Sequence, residues 1–371
     1  MKFVQLAMFR VFRRCHSTLG FVFDIDGVLL KGQNAIPEAT DTLNTLQAQK
    51  VPFILLTNGG GVLESARCEF ISQKLKLHSP LLSRQIVQSH TPLRTLVNKH
   101  RRVLVVGGPA DSARGVAQEY GFREVLRPID LIRANPKIWP FHKYTKQEID
   151  EWSLEPEISK VDVDGRNEPI DSIMVFNDPR DMGSDFQIIM DLLNSEGGLL
   201  GTRRTYSSST PSVPIIFSNN DLLWATDFKL PRFGQGAFKI MVQALYQHTN
   251  NGKQLQQLTL GKPYKVTYDY AHHVLIDYYE NLQSGDFEKP PCMPQLNVAP
   301  AKSPFDRVFM VGDNPESDIL GGNSYNWDTI LVRTGVYKDG DFEQDSKLAK
   351  PTFGTFDNVR DGVFAALEKY A

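Results

Sequence analysis

Leu19-Gly20-Phe21-Val22-Phe23-Asp24-Ile25-Asp26-Gly27-Val28 is the stretch on which the reading of the fold turns. The apolar run from Leu19 to Phe23 reads as a buried strand. Two carboxylates two residues apart at the end of a strand point the same way, because strand side chains alternate. Gly27, directly after them, lets the chain turn sharply and lets a ligand approach the backbone. A divalent cation and a phosphoryl group need such a corner: one carboxylate to attack, one to move protons, and oxygens for the metal. An Asp-x-Asp-Gly alone is common in capped turns and solvated loops, so its meaning depends on the residues farther along the chain.

A helix-like stretch from Pro37 to Gln49 comes next, with proline at its first turn. Val51 to Leu56 is a second buried strand, ending in Thr57-Asn58-Gly59-Gly60-Gly61, and Leu63 to Leu75 is again helix-like. This strand–helix–strand rhythm implies a parallel sheet with helices on its faces. A fresh unit begins near residue 80, with a strand at Arg102–Val106 and a helix at Ala110–Tyr120. Residues 133–170 are polar and read as an insertion or long loop. Ser172–Phe176 is a strand, Phe186–Leu193 is helical, and the Ser/Thr/Pro-rich Thr205–Pro214 reads as a linker. The first rhythm then resumes. It has strands at Pro214–Ser218, Arg307–Val311 and Thr329–Val332, and helices at Gly236–Tyr246 and Tyr264–Glu280. The expected fold class is α/β: a discontinuous parallel-sheet core of residues 18–80 and 212–371, interrupted by a second α/β domain at 81–211.

Four features fall at strand ends or in nearby loops: Asp24/Asp26, Thr57, Lys262 and Asp313/Asp318. Ligands of open parallel sheets bind outside the carboxyl ends of the strands, so residues far apart in sequence can share one crevice. Phosphoryl transfer uses each type. Asp24 is the expected nucleophile, giving an aspartyl-phosphate. Asp26 is the expected general acid to the leaving oxygen and then general base to water. Asp313 completes an oxygen shell for a small hard cation. The Thr57 hydroxyl and the Asn58 and Gly59 amides hold phosphoryl oxygens, and Lys262 offsets charge on the nucleophile and the transferring group. Asp318 stands in the metal's outer shell or holds a metal-bound water.

The segments FDIDGVL (23–29), LLTNGGG (55–61), GKPY (261–264) and VGDNPESDI (311–319) resemble motifs I to IV of the haloacid dehalogenase (HAD) superfamily of phosphatases. The insertion between motifs II and III is similar in position to the C2-type cap of the subclass IIA hydrolases. The resemblance implies a HAD-like Rossmannoid core with an inserted cap, and Mg²⁺ held by the Asp24 carboxylate, the Asp26 backbone carbonyl and Asp313, with Asp318 matching the second acid of motif IV. It also implies a homodimer formed through the cap. One departure stands out: where many subclass IIA members read Thr-Asn-Pro-Asp, this chain has Ser218-Asn219-Asn220-Asp221. Substrate is therefore not carried over from those members. SNNDLLWATDFKLPRFGQGAF (218–238) and GKPYKVTYDYA (261–271) resemble a branch that is typically mitochondrial. Some fungal members of it are fused to a cardiolipin-synthase-like domain, which points to glycerophospholipid metabolism. Substrate readout is expected from the cap, with Arg180 in Asn177-Asp178-Pro179-Arg180-Asp181 as the candidate grip on a carboxylate or second phosphate.

The 371 residues allow two domains, and 41% hydrophobic with 23% charged residues is ordinary for a globular chain. A formal net charge of −2 gives no basic field for nucleic acid. No run approaches the roughly 20 apolar residues of a membrane span. Cys15, Cys68 and Cys292 form no pair at metal or redox spacing and suit a reducing compartment. Residues 1–17 carry Lys2, Arg10, Arg13 and Arg14 among apolar residues and no acid, the pattern of a mitochondrial transit peptide with the matrix as destination. Gly107-Gly108-Pro109 mimics a phosphate loop without its lysine. His272-His273 lacks partners at metal spacing, and Trp224 with Phe228 suggests a packed helical face. The expected activity is a Mg²⁺-dependent phosphomonoesterase acting on a small phosphorylated metabolite or a glycerophospholipid-related phosphate. The alternatives are a catalytically idle scaffold of the same fold and a phosphotransferase sharing the aspartyl-phosphate.

Overall fold

A computed structural model describes residues 18–160, 167–224 and 228–370. The expected transit peptide, residues 1–17, lies outside them. In chain order the strands of the two larger sheets are β1 (Leu19–Phe23), β2 (Phe53–Leu56), β3 (Ile86–Val87), β4 (Arg102–Val106), β5 (Glu124–Leu126), β6 (Ser172–Val175), β7 (Ile215–Phe217), β8 (Leu258–Thr259), β9 (Arg307–Gly312), β10 (Asp328–Val332) and β11 (Gly354–Phe356). The helices used below are α1 (Pro37–Ala48), α2 (Glu64–Leu75), α3 (Ser112–Glu119), α4 (Met182–Leu193), α5 (Gln235–Thr249), α6 (Lys265–Ser284) and α7 (Val359–Tyr370). The chain divides into two units. The first comprises the residues up to Thr57, Glu64–Gln88 and the residues from Lys262 on; the second comprises Asn58–Leu63 and Ser89–Gly261.

In the first unit six parallel strands lie in the order β11-β10-β9-β1-β2-β3. Alternation sorts the side chains of each apolar run onto two faces. Phe21, Phe23, Phe53 and Phe309 pack on one face against α1, α2 and α7. The Phe21 and Phe309 rings stack at 5.2 Å. Val22, Ile54, Leu56 and Met310 pack on the other against Tyr268, Ala271 and Leu275 of α6. Phe23 is level with Val311 on one side and Leu55 on the other. The residues just past these three strands therefore emerge at one edge: Asp24, Asp313 and Thr57.

The second unit holds five parallel strands in the order β8-β7-β6-β4-β5. The winding direction reverses between β4 and β6, where their turns approach each other. Gly107, at φ 95°, is needed there, because a Cβ on it would stand 1.9 Å from the Asn177 carbonyl oxygen. The Gly108 amide donates to the Asp178 carbonyl at 3.1 Å. The glycine pair thus serves a close backbone crossing.

The sequence-based boundary moves. The strand expected to reopen the core, β7, pairs with β6, and α5 packs through Phe238, Val242 and Tyr246 into the second unit's apolar cluster. The return to the first unit falls at Gly261/Lys262, not near residue 212. Trp224 is not on a helix: it pairs with Arg232 in a two-residue hairpin and is 47% exposed. The expectation failed because a spacing of four fits a helix face and a hairpin equally well. The short strands β3, β5, β8 and β11 were not anticipated, since two or three apolar residues carry no period.

At the start of α4, Asp181 accepts hydrogen bonds from the Gly183 and Ser184 amides, and Asp185 is buried beneath it. Burial, and then the Asp181 charge, push the Asp185 carboxyl up to about 8, with Arg127 acting in the opposite direction. An unfolded aspartate titrates near 3.9. Between that value and about 8 the folded protein holds a proton that the unfolded chain has lost. Raising the pH across this window therefore favours unfolding, by at most about 1.4 kcal/mol per pH unit. We expect Asp185→Asn to flatten the fall in stability with pH seen in denaturant titrations. Equal slopes in the two proteins would remove Asp185 as its source.

Candidate active site

Lys262 is the centre of the site. Its Nζ lies 2.7 Å from Asp24 Oδ1 and 2.6 Å from Asp318 Oδ1, with all three side chains buried. Asp24 leaves β1 with its amide donating to the Val311 carbonyl at 2.9 Å, which ties the residue to β9. Asp313 follows β9, and its Oδ2 accepts the Val336 amide at 2.6 Å. Asp318 is brought in by a π-helical turn, Pro315–Ile319. Wide turns of this kind are frequent at functional sites. Asn314 caps the turn through the Glu316 amide, and Asp318 Oδ2 accepts the Asn314 amide at 3.1 Å. From α6 the buried Tyr268 hydroxyl reaches the Ser317 and Asp318 carbonyls at 3.2 and 3.3 Å.

Asp24, Asp313 and Asp318 each offer a carboxylate oxygen within 4.8 Å of the others. Burial, followed by the neighbouring carboxylates, raises the Asp313 pKa. Burial also raises that of Asp318, against the opposing pull of Lys262. For Lys262 burial works downward, but Asp24 and Asp318 outweigh it and hold the ammonium charged. Three carboxylates facing one lysine leave an excess of negative charge in a dry setting. An all-oxygen donor set with that excess fits a small hard cation.

Asp26 is placed differently. Its carboxyl is 61% exposed and lies 3.7 Å from the Arg67 guanidinium on α2. Desolvation by the crowded surroundings and the nearby Asp24 raise its pKa, opposed by Arg67 and Lys262. A raised carboxyl with access to solvent suits an acid that must deliver a proton and then reclaim one. It is not among the three clustered carboxylates. Thr57 is buried at the end of β2, its amide donating to the Val87 carbonyl.

Asn58 and Gly59 follow Thr57 in the chain and fall in the second unit. There Asn58 Nδ2 donates to Asp221 Oδ1 at 2.9 Å, and Asn219 Nδ2 donates to the Asn58 carbonyl at 3.0 Å. The segment Ser218–Asp221 thus anchors the start of the irregular connection that follows Thr57. Arg180, also in the second unit, is exposed and donates back to the Asp178 carbonyl at 2.9 Å.

Sequence reasoning missed the support of Asp313. A Cβ on Gly335 would stand 1.9 Å from Asp313 Oδ2, so only glycine lets the Thr334–Val336 loop close on that carboxylate. Thr334 Oγ1 also donates to the Gly27 carbonyl, joining this loop to the first motif. A Thr-Gly pair just past the expected strand Thr329–Val332 was the available signal. Arg67 and Tyr268 were missed too, because neither stands in one of the four motifs that carry the chemistry.

The sequence profile of haloacid dehalogenase-like hydrolases matches residues 21–123, and a second, HAD-hydrolase-like profile matches 259–362. A mitochondrial hydrolase of Saccharomyces cerevisiae is 49% identical over 366 residues, 98% of this chain and 99% of that protein. A cardiolipin synthase (CMP-forming)/mitochondrial hydrolase fusion protein of Schizosaccharomyces pombe is 39% identical over 352 residues, 94% of this chain and 53% of the fusion. The fold is shared with p-nitrophenyl phosphatase from Archaeoglobus fulgidus, at a TM-score of 0.57 and 15% identity, covering 94% and 99% of the two chains. It is shared also with NagD from Escherichia coli, at 0.52 and 16%, covering 92% and 97%.

Gly335→Ala should displace the Asp313 carboxylate while leaving the sheet intact. We expect a loss of magnesium affinity of roughly 10–100-fold, read by titration calorimetry, with an unchanged far-UV spectrum. Wild-type affinity in this variant would show that Asp313 does not hold metal through that oxygen.

Proposed function

Starting from a chain that belongs to the haloacid dehalogenase-like hydrolases, we propose that it is a Mg²⁺-dependent phosphomonoesterase working through Asp24. The observation that carries this reading is the buried Lys262 held at once by Asp24 and Asp318, with Asp313 beside them. Asp24 attacks phosphorus, the ester P–O bond breaks, and Asp26 gives its proton to the departing alkoxide. Asp26 then takes a proton from water, whose oxygen attacks the same phosphorus. The bond to Asp24 breaks and orthophosphate leaves. Lys262 fixes the Asp24 carboxylate and offsets charge on the transferring group. The Thr57 hydroxyl and the Asn58 and Gly59 amides are assigned to phosphoryl oxygens. Asp24, Asp313 and the Asp26 carbonyl would hold the cation, with Asp318 ordering that shell. When bound, Mg²⁺ neutralises charge between the nucleophile and the phosphoryl oxygens.

The second unit is assigned substrate selection, with Arg180 as its candidate contact. The substrate class we favour is a small phosphorylated metabolite or a glycerophospholipid-related phosphate. The name of the S. pombe fusion supports the latter, and the names of both relatives support a mitochondrial site of action, as does the acid-free start of the chain. Assembly as a homodimer through the second unit is supported by the solvent face of α5. Ile240, Met241 and Leu245 are exposed there beside Leu223, Trp224 and Phe233 of the hairpin. Clusters of exposed apolar side chains mark interaction surfaces.

Phosphate release from a panel of phosphorylated metabolites and glycerophospholipid precursors should require Mg²⁺ and fall below detection in Asp24→Asn. Turnover retained by that variant would refute the mechanism. Silence across the panel with metal still bound would favour a scaffold role. For the dimer, Ile240→Asp should halve the mass measured by light scattering; an unchanged mass would place any interface elsewhere.

A further inference from the structure

The Ser/Thr/Pro-rich stretch expected as a linker forms a wall of a cavity instead. Its residues Thr205, Tyr206, Ser208 and Thr210, with Ser195 and Arg204, line a space of about 510 Å³. This space lies where the chain enters β7. Gly107–Gly108, Asn177–Arg180 and Asn219–Asp221 stand instead at the ends where strands finish.

Arg204 is the unusual member, since only 8% of its surface is exposed. A guanidinium has five N–H donors in a fixed fork. Nη1 donates to the Thr210 carbonyl at 3.0 Å and to Ser212 Oγ at 3.4 Å. Nη2 donates to the Tyr246 hydroxyl and to Asn250 Oδ1, both at 2.8 Å. These acceptors are all neutral. Its central carbon lies 5.4 Å from the Tyr206 ring and 5.9 Å from the Tyr246 ring. The fifth donor, Nε, is buried and has no acceptor among the described residues. Nor does any carboxylate among the described residues pair with this guanidinium. Glu196, at the rim of the cavity, is exposed and its charge is screened by water. A buried charge is costly unless a counter-charge meets it. Here the four terminal donors hold the fork rigid, and the charge they fix stands in the wall of a space that Thr205, Tyr206 and Ser208 also line.

We propose that this cavity binds an oxyanion, the phosphate or carboxylate group of a small metabolite, whose negative charge offsets the unmatched charge of Arg204 in the cavity wall. The Thr205, Tyr206 and Ser208 hydroxyls complete its hydrogen bonds. The site is separate from Asp24 and Lys262 in sequence and in unit, and does not depend on the activity proposed above.

The test is thermal unfolding of the full chain in EDTA, with inorganic phosphate, sulfate, acetate or chloride at equal ionic strength. A saturable rise in Tm of about 3 °C at low millimolar anion is expected. A response to phosphate and sulfate alone identifies a phosphate-type ligand, and one to acetate as well identifies a carboxylate. Arg204→Gln should abolish the rise. Because that variant can fail to fold, Ser208→Asp is the second probe. An aspartate there can still accept the Thr210 amide that Ser208 Oγ accepts at 3.0 Å, and it places a carboxylate in the cavity. It should melt above wild type without added anion and respond to none. A rise that Ser208→Asp retains would assign the anion to another site and overturn the proposal, as would the absence of any rise in wild type.

Discussion

A lysine ammonium buried between two carboxylates sets the terms for everything around it. Lys262, Asp24 and Asp318 come from three distant parts of the chain, and none is stable in a dry environment without the others. Leaving one member of such a group unpaired costs about 3–5 kcal/mol. The contact therefore selects backbone arrangements as much as it serves chemistry. β1 must end at Phe23, β9 at Gly312, and the turn after β9 must widen so that its acid faces back toward the sheet. Tyr268 and Gly335 belong to the same requirement: one holds the wide turn from behind, the other lets a loop close on Asp313 from the side.

The parallel sheet makes this arrangement possible by simple register. With Phe23 level with both Val311 and Leu55, three chain segments finish at one height without any long side chain having to reach. Precision then comes from the rigid part of the molecule, where phenylalanines on one face and aliphatic residues on the other leave β1 no room to slip. The same packing offsets the mutual repulsion of the carboxylates, which the sheet holds together.

Part of this was legible in the sequence because Asp24, Thr57 and Asp313 each follow an apolar run, and such runs announce strands. Asp24, Lys262, Asp313 and Asp318 stand together. The boundary of the second unit was not legible. β7 and α5 look like core elements by composition, and nothing local says which sheet a strand will join. The Thr205–Pro214 stretch differs from expectation for a related reason: Ser, Thr and Pro signal irregular backbone, and irregular backbone can be a wall as well as a tether. Gly335 and Arg67 escaped because their meaning lies in what crosses them in space.

The partners of β1 are very unequal in the chain. On one side is β2, close by; on the other is β9, so that Thr18 meets Asp306 across 288 residues. A ribosome extending the chain at about 5–20 residues per second needs tens of seconds to supply that partner. Through that interval the strand that leads into Asp24 keeps one edge open, and an open strand edge is a hazard for aggregation. The same ordering acts as a completeness check. Lys262, Asp313, Asp318 and Gly335 are all made after the second unit, so a truncated product carries Asp24 without its lysine partner and without the other two carboxylates of the cluster.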